Sequence, residues 1–251
     1  MAKQATNNNE FSQPLFFKTP APVMKDKHAE AGLSTKIDYS FSKSTNSVPV
    51  TIKEFAEICK SYPIVFSSNN SSEAVAVVGL ENTKNLYVGS EGKWLKDIYI
   101  PAYVRKYPFA FMSAGKGAEE KLILCVDESS NRFIKKAKKG DARFFEEGKE
   151  TASTKSALEY CLQFHRDTIA THSFVKEVKD AGLLIPKQIT ATFKSKPKPM
   201  SLSGLMVVDE KKLRDLDPAK INEWHKNGYL SLIYMHLISL SNFNRLTGLV
   251  K

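Results

Sequence analysis

The chain has 251 residues, 42% hydrophobic and 25% charged, the composition of a globular protein with one large core or two small ones. Its formal charge of +10 attracts anionic partners, but the lysines are dispersed and no face interleaves arginine with aromatics, which argues against a sequence-specific nucleic-acid reader. No apolar run approaches the roughly 18 residues of a membrane span, and Cys59, Cys125 and Cys161 are too scattered for a disulfide framework, so free thiols in a reducing compartment are expected.

The opening "MAKQATNNNEFSQPLFF" has no apolar core or small-residue cleavage site, so it does not read as a secretory signal, and a cytoplasmic protein is expected. Residues 1–47 are rich in Asn, Ser, Thr, Lys and Pro and show only isolated aromatics. They predict an extended, partly disordered arm that can be cut back, with a single domain over 48–251. Order is expected from Val48. Thr51 with Glu54 three residues on forms a capping-box pattern, Ile52, Phe55 and Cys59 share a helical face, and Pro63 stops the helix.

Strands follow at "IVF", at Ala74–Leu80 and at Asn85–Gly89. "KYPFAF" then repeats the pattern of "SYPIVF". A short helix runs into Tyr-Pro, a strand, a polar turn and the buried strand Lys121–Asp127, and "NRFI" answers "NLYV". Proline holds the preceding tyrosine extended, so Tyr-Pro makes a sharp joint from helix to strand. The two copies, 52–88 and 98–134, predict a duplicated helix–strand–strand–strand unit sharing one sheet. Val208-Asp209-Glu210 echoes Val126-Asp127-Glu128 more weakly. A long helix is expected over Lys155–Ala181, and Tyr229–Leu240 is so apolar that it predicts a buried central helix covered on several sides. The fold class is α+β, mainly antiparallel.

Chemistry-bearing motifs are sparse. Cys161, His165 and His172 share one helical face, but a closed metal site needs a second ligand cluster, and Leu158, Leu162 and Ile169 beside them point to packing. No metal and no cofactor is expected. No nucleophile elbow or phosphate-binding loop is present, and "GKGAEEK" at Gly115–Lys121 reads as a hairpin turn. Asp127 and Asp209 close strands and, with His236, are the only weak catalytic candidates. Lys135, Lys136, Lys138 and Lys139, with a second basic run at Lys194–Pro199, offer a candidate anion-binding face.

The segments "IPAYVRKYPFAF", "LMVVDEKKL" and "MHLISLSNFNRL", in an ordered string from about Val48 to Leu246, resemble the bacterial SapC family. The resemblance implies a role linked to the surface layer or outer surface and brings no catalytic residues with it. The peptide-transporter permease of the same name has membrane spans that this chain lacks. The leading expectation is a non-catalytic accessory protein that recognises a protein or peptide partner, surface-layer or outer-membrane receptor components being candidates. Strand addition at a sheet edge is one mode. The alternatives are an enzyme or accessory acting with a flavin-dependent halogenase-like partner on a small molecule or peptide, and a binder of anionic polymer or lipid.

Overall fold

Short apolar alternations write strands along most of this chain, and one segment alone sustains a long helical period. The computed structural model describes residues 14–68, 72–114, 121–192 and 199–250. The turn Gly115–Glu120 and the basic run from Lys194 to Lys198 lie outside the described residues. From the amino end come β1 (Pro20–Pro22), α1 (Lys25–His28), β2 (Gly32–Leu33) and β3 (Ser47–Pro49). The first Tyr-Pro joint links α2 (Phe55–Ile58) to β4 (Ile64–Ser67) and β5 (Ala74–Val77). The second links α3 (Ala102–Arg105) to β6 (Phe109–Ala114) and β7 (Lys121–Asp127). Four short strands follow, β8 (Phe133–Ile134), β9 (Ala142–Arg143), β10 (Phe145–Glu146) and β11 (Lys149–Glu150). The long helix α4 (Ala152–Asp180) leads to the hairpin β12 (Leu184–Ala191) and β13 (Met200–Val208). Four helices close the chain, α5 (Glu210–Arg214), α6 (Pro218–Asn227), α7 (Tyr229–Ser239) and α8 (Asn242–Gly248).

The α+β class holds, with antiparallel pairing throughout the named strands. A five-stranded sheet runs β12-β13-β4-β5-β3, and three-stranded sheets run β1-β7-β6 and β8-β2-β9. In β4, Ile64, Val65 and Phe66 are all buried, as expected of a strand covered on both faces. The large core lies on this sheet and the second core around Leu33, Phe109, Val126 and Phe144.

The expected duplication is not carried through. Both joints bury their tyrosine, Tyr62 and Tyr107, and both open a hairpin. The two hairpins lie in different sheets, however, not in one shared sheet. The third strands also diverge. Phe133–Ile134 pairs with β2, whereas Val88 makes only an isolated bridge to Trp94. The physical reason is the different covering of each hairpin: β13 takes the outer edge of β4, while the outer edge of β7 is taken by β1. Thr51 and Glu54 do form their capping box, with Glu54 Oε2 accepting from Thr51 N–H and Oγ1–H at 3.2 Å each. Glu54 Oε1 also accepts from Ala102 N–H at 2.6 Å, which ties the start of α3 to the start of the first unit.

From Pro14 onward the arm is part of the body. β1 pairs with β7, and β2 is the middle strand of its sheet. Asp127, fully buried at the end of β7, holds this arm. Its Oδ2 accepts from Lys18 N–H and Tyr107 Oη–H, both at 3.0 Å, and its Oδ1 from Thr19 N–H at 2.9 Å and from Ser129 N–H and Oγ–H. Burial alone would raise the Asp127 pKa. The donors from Ser129, Thr19 and Lys18 outweigh it and hold the carboxyl below its ordinary value. The arm is thus fixed by charge-assisted hydrogen bonds together with the burial of Phe17, Ala21, Ala31 and Leu33, partners that composition does not reveal.

The carboxyl-terminal helix also departs from expectation. Gly228, at φ 83°, ends α6 in the left-handed conformation and turns the chain into α7. Ile233, His236 and Ser239 are buried, but Tyr234 is 51% and Ile238 65% exposed. The helix is therefore covered on one side only, because no element packs over its outer face among the described residues. Its inner face grips the sheet. β13 and β4 pair directly at Leu205–Ser67 and Met206–Phe66. Where the next pairs would fall, His236 takes over, accepting from Val208 N–H at 3.1 Å and donating Nδ1–H to the Ile64 carbonyl at 2.8 Å. Ser239 Oγ accepts from Ile64 N–H at 2.8 Å and donates to the His236 carbonyl at 2.5 Å.

Burial pushes the His236 imidazole down to about 4, although its hydrogen bond to Ile64 pulls the other way. The unfolded chain titrates near 6.5, so between these values it binds the extra proton and the folded protein does not. The contribution is complete above pH 6.5 and is lost as pH falls towards 4, by roughly 3 kcal/mol in total. Urea unfolding at pH 7 and 4.5 should show that drop in the natural protein. His236→Gln should be less stable at pH 7 by about 2 kcal/mol and have a flatter acid slope; an unchanged slope would remove His236 from this role. Deleting residues 1–22, so that the chain starts at Val23, removes β1 and two donors to Asp127. It should cost roughly 3 kcal/mol or more, read as a lowered melting temperature. An unaltered melting temperature would restore the dispensable arm.

Candidate functional site

Helix α4 sets the site because its sequence is apolar on one face only in its last third, where Phe174, Val175 and Val178 enter the large core. Nearer its start, Cys161 joins the second core. Between these anchors, Phe164, His165, Thr168 and His172 remain half-buried along one stripe of the helix. Opposite them stand Pro14, Leu15, Pro49, Val50 and Tyr103. The space between forms two adjoining cavities of about 360 and 210 Å³, which share Pro14, Tyr103, Phe164 and Thr168 as walls. Together they make a groove beside α4, with Glu73 and His172 lining the larger part and Lys106, Cys161 and His165 the smaller.

Lys106 is the unusual group. It follows α3, is only 8% exposed, and lies among aromatic rings. Its Nζ is 4.3 Å from the centroid of Tyr103, 5.3 Å from Phe17 and 5.5 Å from Phe164, within cation–π range of each. Among the described residues no carboxylate or hydrogen-bond acceptor meets that ammonium. Burial pushes Lys106 down to about 8, with the neighbouring Cys161 acting in the opposite sense. Burial pushes the Cys161 thiol up to about 11 against the pull of Lys106. A third cavity, of about 210 Å³, shares Phe164 and holds Arg105 and Tyr160; the Tyr160 hydroxyl is buried with no partner among the described residues.

The three weak catalytic candidates are not brought together as a site. Asp127 sits in the β1-β7-β6 sheet, with its oxygens taken by the arm, Tyr107 and Ser129. Asp209 caps α5, its Oδ1 accepting from Lys211 and Lys212 N–H at 2.9 and 3.3 Å. His236 is closed inside the sheet-to-helix joint, both ring nitrogens occupied by backbone. Lys135, Lys136, Lys138 and Lys139 are all exposed, and Lys136 lies 3.9 Å from Glu30. Lys138, Lys139 and Arg143 line a shallow polar recess at the start of α4, but Asp141 and Glu146 line it too. Cys161, His165 and His172 do share a face, and that face lines the groove. Among the described residues no group of three or more His, Cys, Asp or Glu is placed to hold a metal. No helix among them is long and apolar enough to cross a membrane.

Lys106 itself was missed from sequence because a lysine after a short helix is ordinarily solvated. The one available sign was Tyr103 three residues earlier, on the same helical side.

The family model described as SapC matches residues 23–246, and the chain belongs to the SapC family. No curated protein and no solved structure matches it.

The thiols give a check on the site's burial. Cys59 is half-buried, whereas Cys125 is 2% and Cys161 3% exposed, and burial raises all three pKa values. A small thiol reagent at pH 8 should modify Cys59 first, with Cys125 and Cys161 reacting only after denaturant is added. Fast modification of Cys161 in the native protein would mean that its thiol is presented to the inner cavity and not packed into the second core.

Proposed function

We propose that this SapC-family protein is a non-catalytic binding protein that receives an extended segment of a protein or peptide partner in the groove beside α4. The observation that carries the reading is the adjacency of the two cavities, which have four walls in common, mostly apolar, with a few polar groups placed along them. The catalytic candidates Asp127, Asp209 and His236 are each engaged by structural hydrogen bonds at separate places, outside the groove, which favours binding over catalysis by them. In keeping with what the family resemblance implies, we take the partner to be a surface-layer or outer-membrane component.

The groove is a better receptor than the sheet edges. The outer strand β12 carries Pro186, which has no N–H to donate, then Lys187 and a bulge between Lys187 and Ile189. The other edge, β3, has three residues and ends in Pro49. Proline, lysine and bulges are the devices that keep an edge from pairing. The alternative of an anionic polymer or lipid attaches to Lys135, Lys136, Lys138 and Lys139, where Asp141, Glu146 and Glu30 weaken the positive field.

A photo-crosslinking residue placed at Leu15 or at His172, in the native cell, should capture one discrete protein. The same residue at Glu223, exposed on α6, should not. Equal capture from all three positions, or none from the groove positions, would exclude the groove as the receptor.

A further inference from the structure

At the groove's inner end the Lys106 ammonium, with three N–H donors, meets no acceptor among the described residues and faces the cavity from a largely buried side chain. A cation stripped of most of its water is costly, and a protein keeps one only where something offsets it. Here the faces of Tyr103, Phe17 and Phe164 offset part of the cost, at 4.3–5.5 Å from Nζ. Ring faces do not accept the N–H groups as a carboxylate oxygen does, so the site remains short of one anion. Cys161, which lines the same cavity, is kept as a neutral thiol by its own burial and does not supply that charge. Around Lys106 the walls are Pro14, Ala110, Phe111 and Phe164, which suit an apolar group attached to the anion. The larger cavity adjoins it across Pro14, Tyr103, Phe164 and Thr168, which line both, so more chain could lie along the same side of the helix.

We propose that Lys106 is the anchor for the carboxyl terminus of the bound peptide, its ammonium taking the terminal carboxylate while the last side chain, an apolar one, fills the inner cavity. This rests on the groove reading above and adds the direction of the bound chain: terminus inward at Lys106, preceding residues outward along α4 towards His172. Charge complementarity selects the carboxylate. The aromatic faces set a limit on its partner, since they stabilise the ammonium but repel an anion placed over the rings, so the carboxylate must approach from the open, cavity side.

The test uses the full-length protein with acetyl-Ala-Ala-Ala-Leu as the free acid, the same peptide as its terminal amide, and hexanoate. Calorimetry should show the acid binding about tenfold or more tightly than the amide, the difference expected of a charge-assisted hydrogen bond in a largely apolar site. Lys106→Met should erase that difference while melting no lower than the natural protein, because it removes an uncompensated cation. A purely structural lysine would lower the melting temperature instead. Should Lys106→Met not fold, the lysine signal of the natural protein followed by NMR decides: the acid should raise the Lys106 pKa from its depressed value and the amide should not. Acid and amide binding equally, or no pKa change, would overturn the Lys106 anchor and leave the groove reading standing. Hexanoate binding as tightly as the acid peptide would overturn the peptide assignment in favour of small organic acids. Failure of both peptides, with crosslinking from His172 intact, would overturn the anchor alone; failure of both peptides and of the crosslink would take down the groove as well.

Discussion

The fold turns on the contact between α7 and the seam of the five-stranded sheet. β4 and β13 come from opposite ends of the chain and are zipped together at only two residue pairs. Beyond those pairs the strands part, and backbone groups at Val208 and Ile64 would be left without partners in a dry interior. A neutral imidazole has one donor and one acceptor on opposite sides of a flat ring, which is what such a gap requires. His236 fills it, and Ser239 three residues on takes the remaining Ile64 N–H, so one face of one helix completes the ladder. Phe66 packs beside the ring, with centroids 4.8 Å apart, which fixes the ring's orientation. Because this joint unites the first hairpin with the last, the sheet, the large core and the seat of α4 all depend on it.

The groove follows from the length of α4. At 29 residues it rises about 43 Å, more than either core can cover alone. Thr151 caps its start, and Thr154 donates to the Phe144 carbonyl at 2.8 Å, pinning that end to the second core. Its far end belongs to the large core. Along the stripe between them, the arm at Pro14–Leu15 and the loop at Pro49–Val50 form the facing wall without closing onto the helix. A concave strip is therefore what remains when one straight helix serves two cores. Lys106 marks where the second core, the arm and the helix meet.

Much of this was legible in the sequence. The α+β class, the long helix, the Thr51–Glu54 box and the two Tyr-Pro joints all depend on residues close together in the chain, where periodicity and capping rules apply. What stayed hidden depends on contacts across the chain. Asp127 reads as a turn residue until Lys18 and Thr19 bring their N–H groups to it from 109 and 108 positions away. His236 reads first as a core histidine and second as a catalytic candidate, and only the register of β4 against β13 decides between them. The stripe Cys161–His165–His172 was visible, and its packing explanation accounts for Cys161. The two histidines instead border open space, a distinction that requires knowing what faces the helix. The coverage on several sides expected of Tyr229–Leu240 fell short because hydrophobicity counts apolar residues without saying how many neighbours exist to cover them.

The division of α4 between two cores has a consequence for motion. The clusters around Phe174 and around Phe144 share no buried residue, and α4 joins them as a single beam. Such a chain has a natural parting line: either cluster can loosen while the other stays packed, with backbone amides near the middle of the beam sensing both. That middle, from Cys161 to His172, is also the floor of the groove. A segment lying there would lean on both halves at once and raise the cost of opening either, so occupancy would be felt as slower hydrogen exchange in places it never touches.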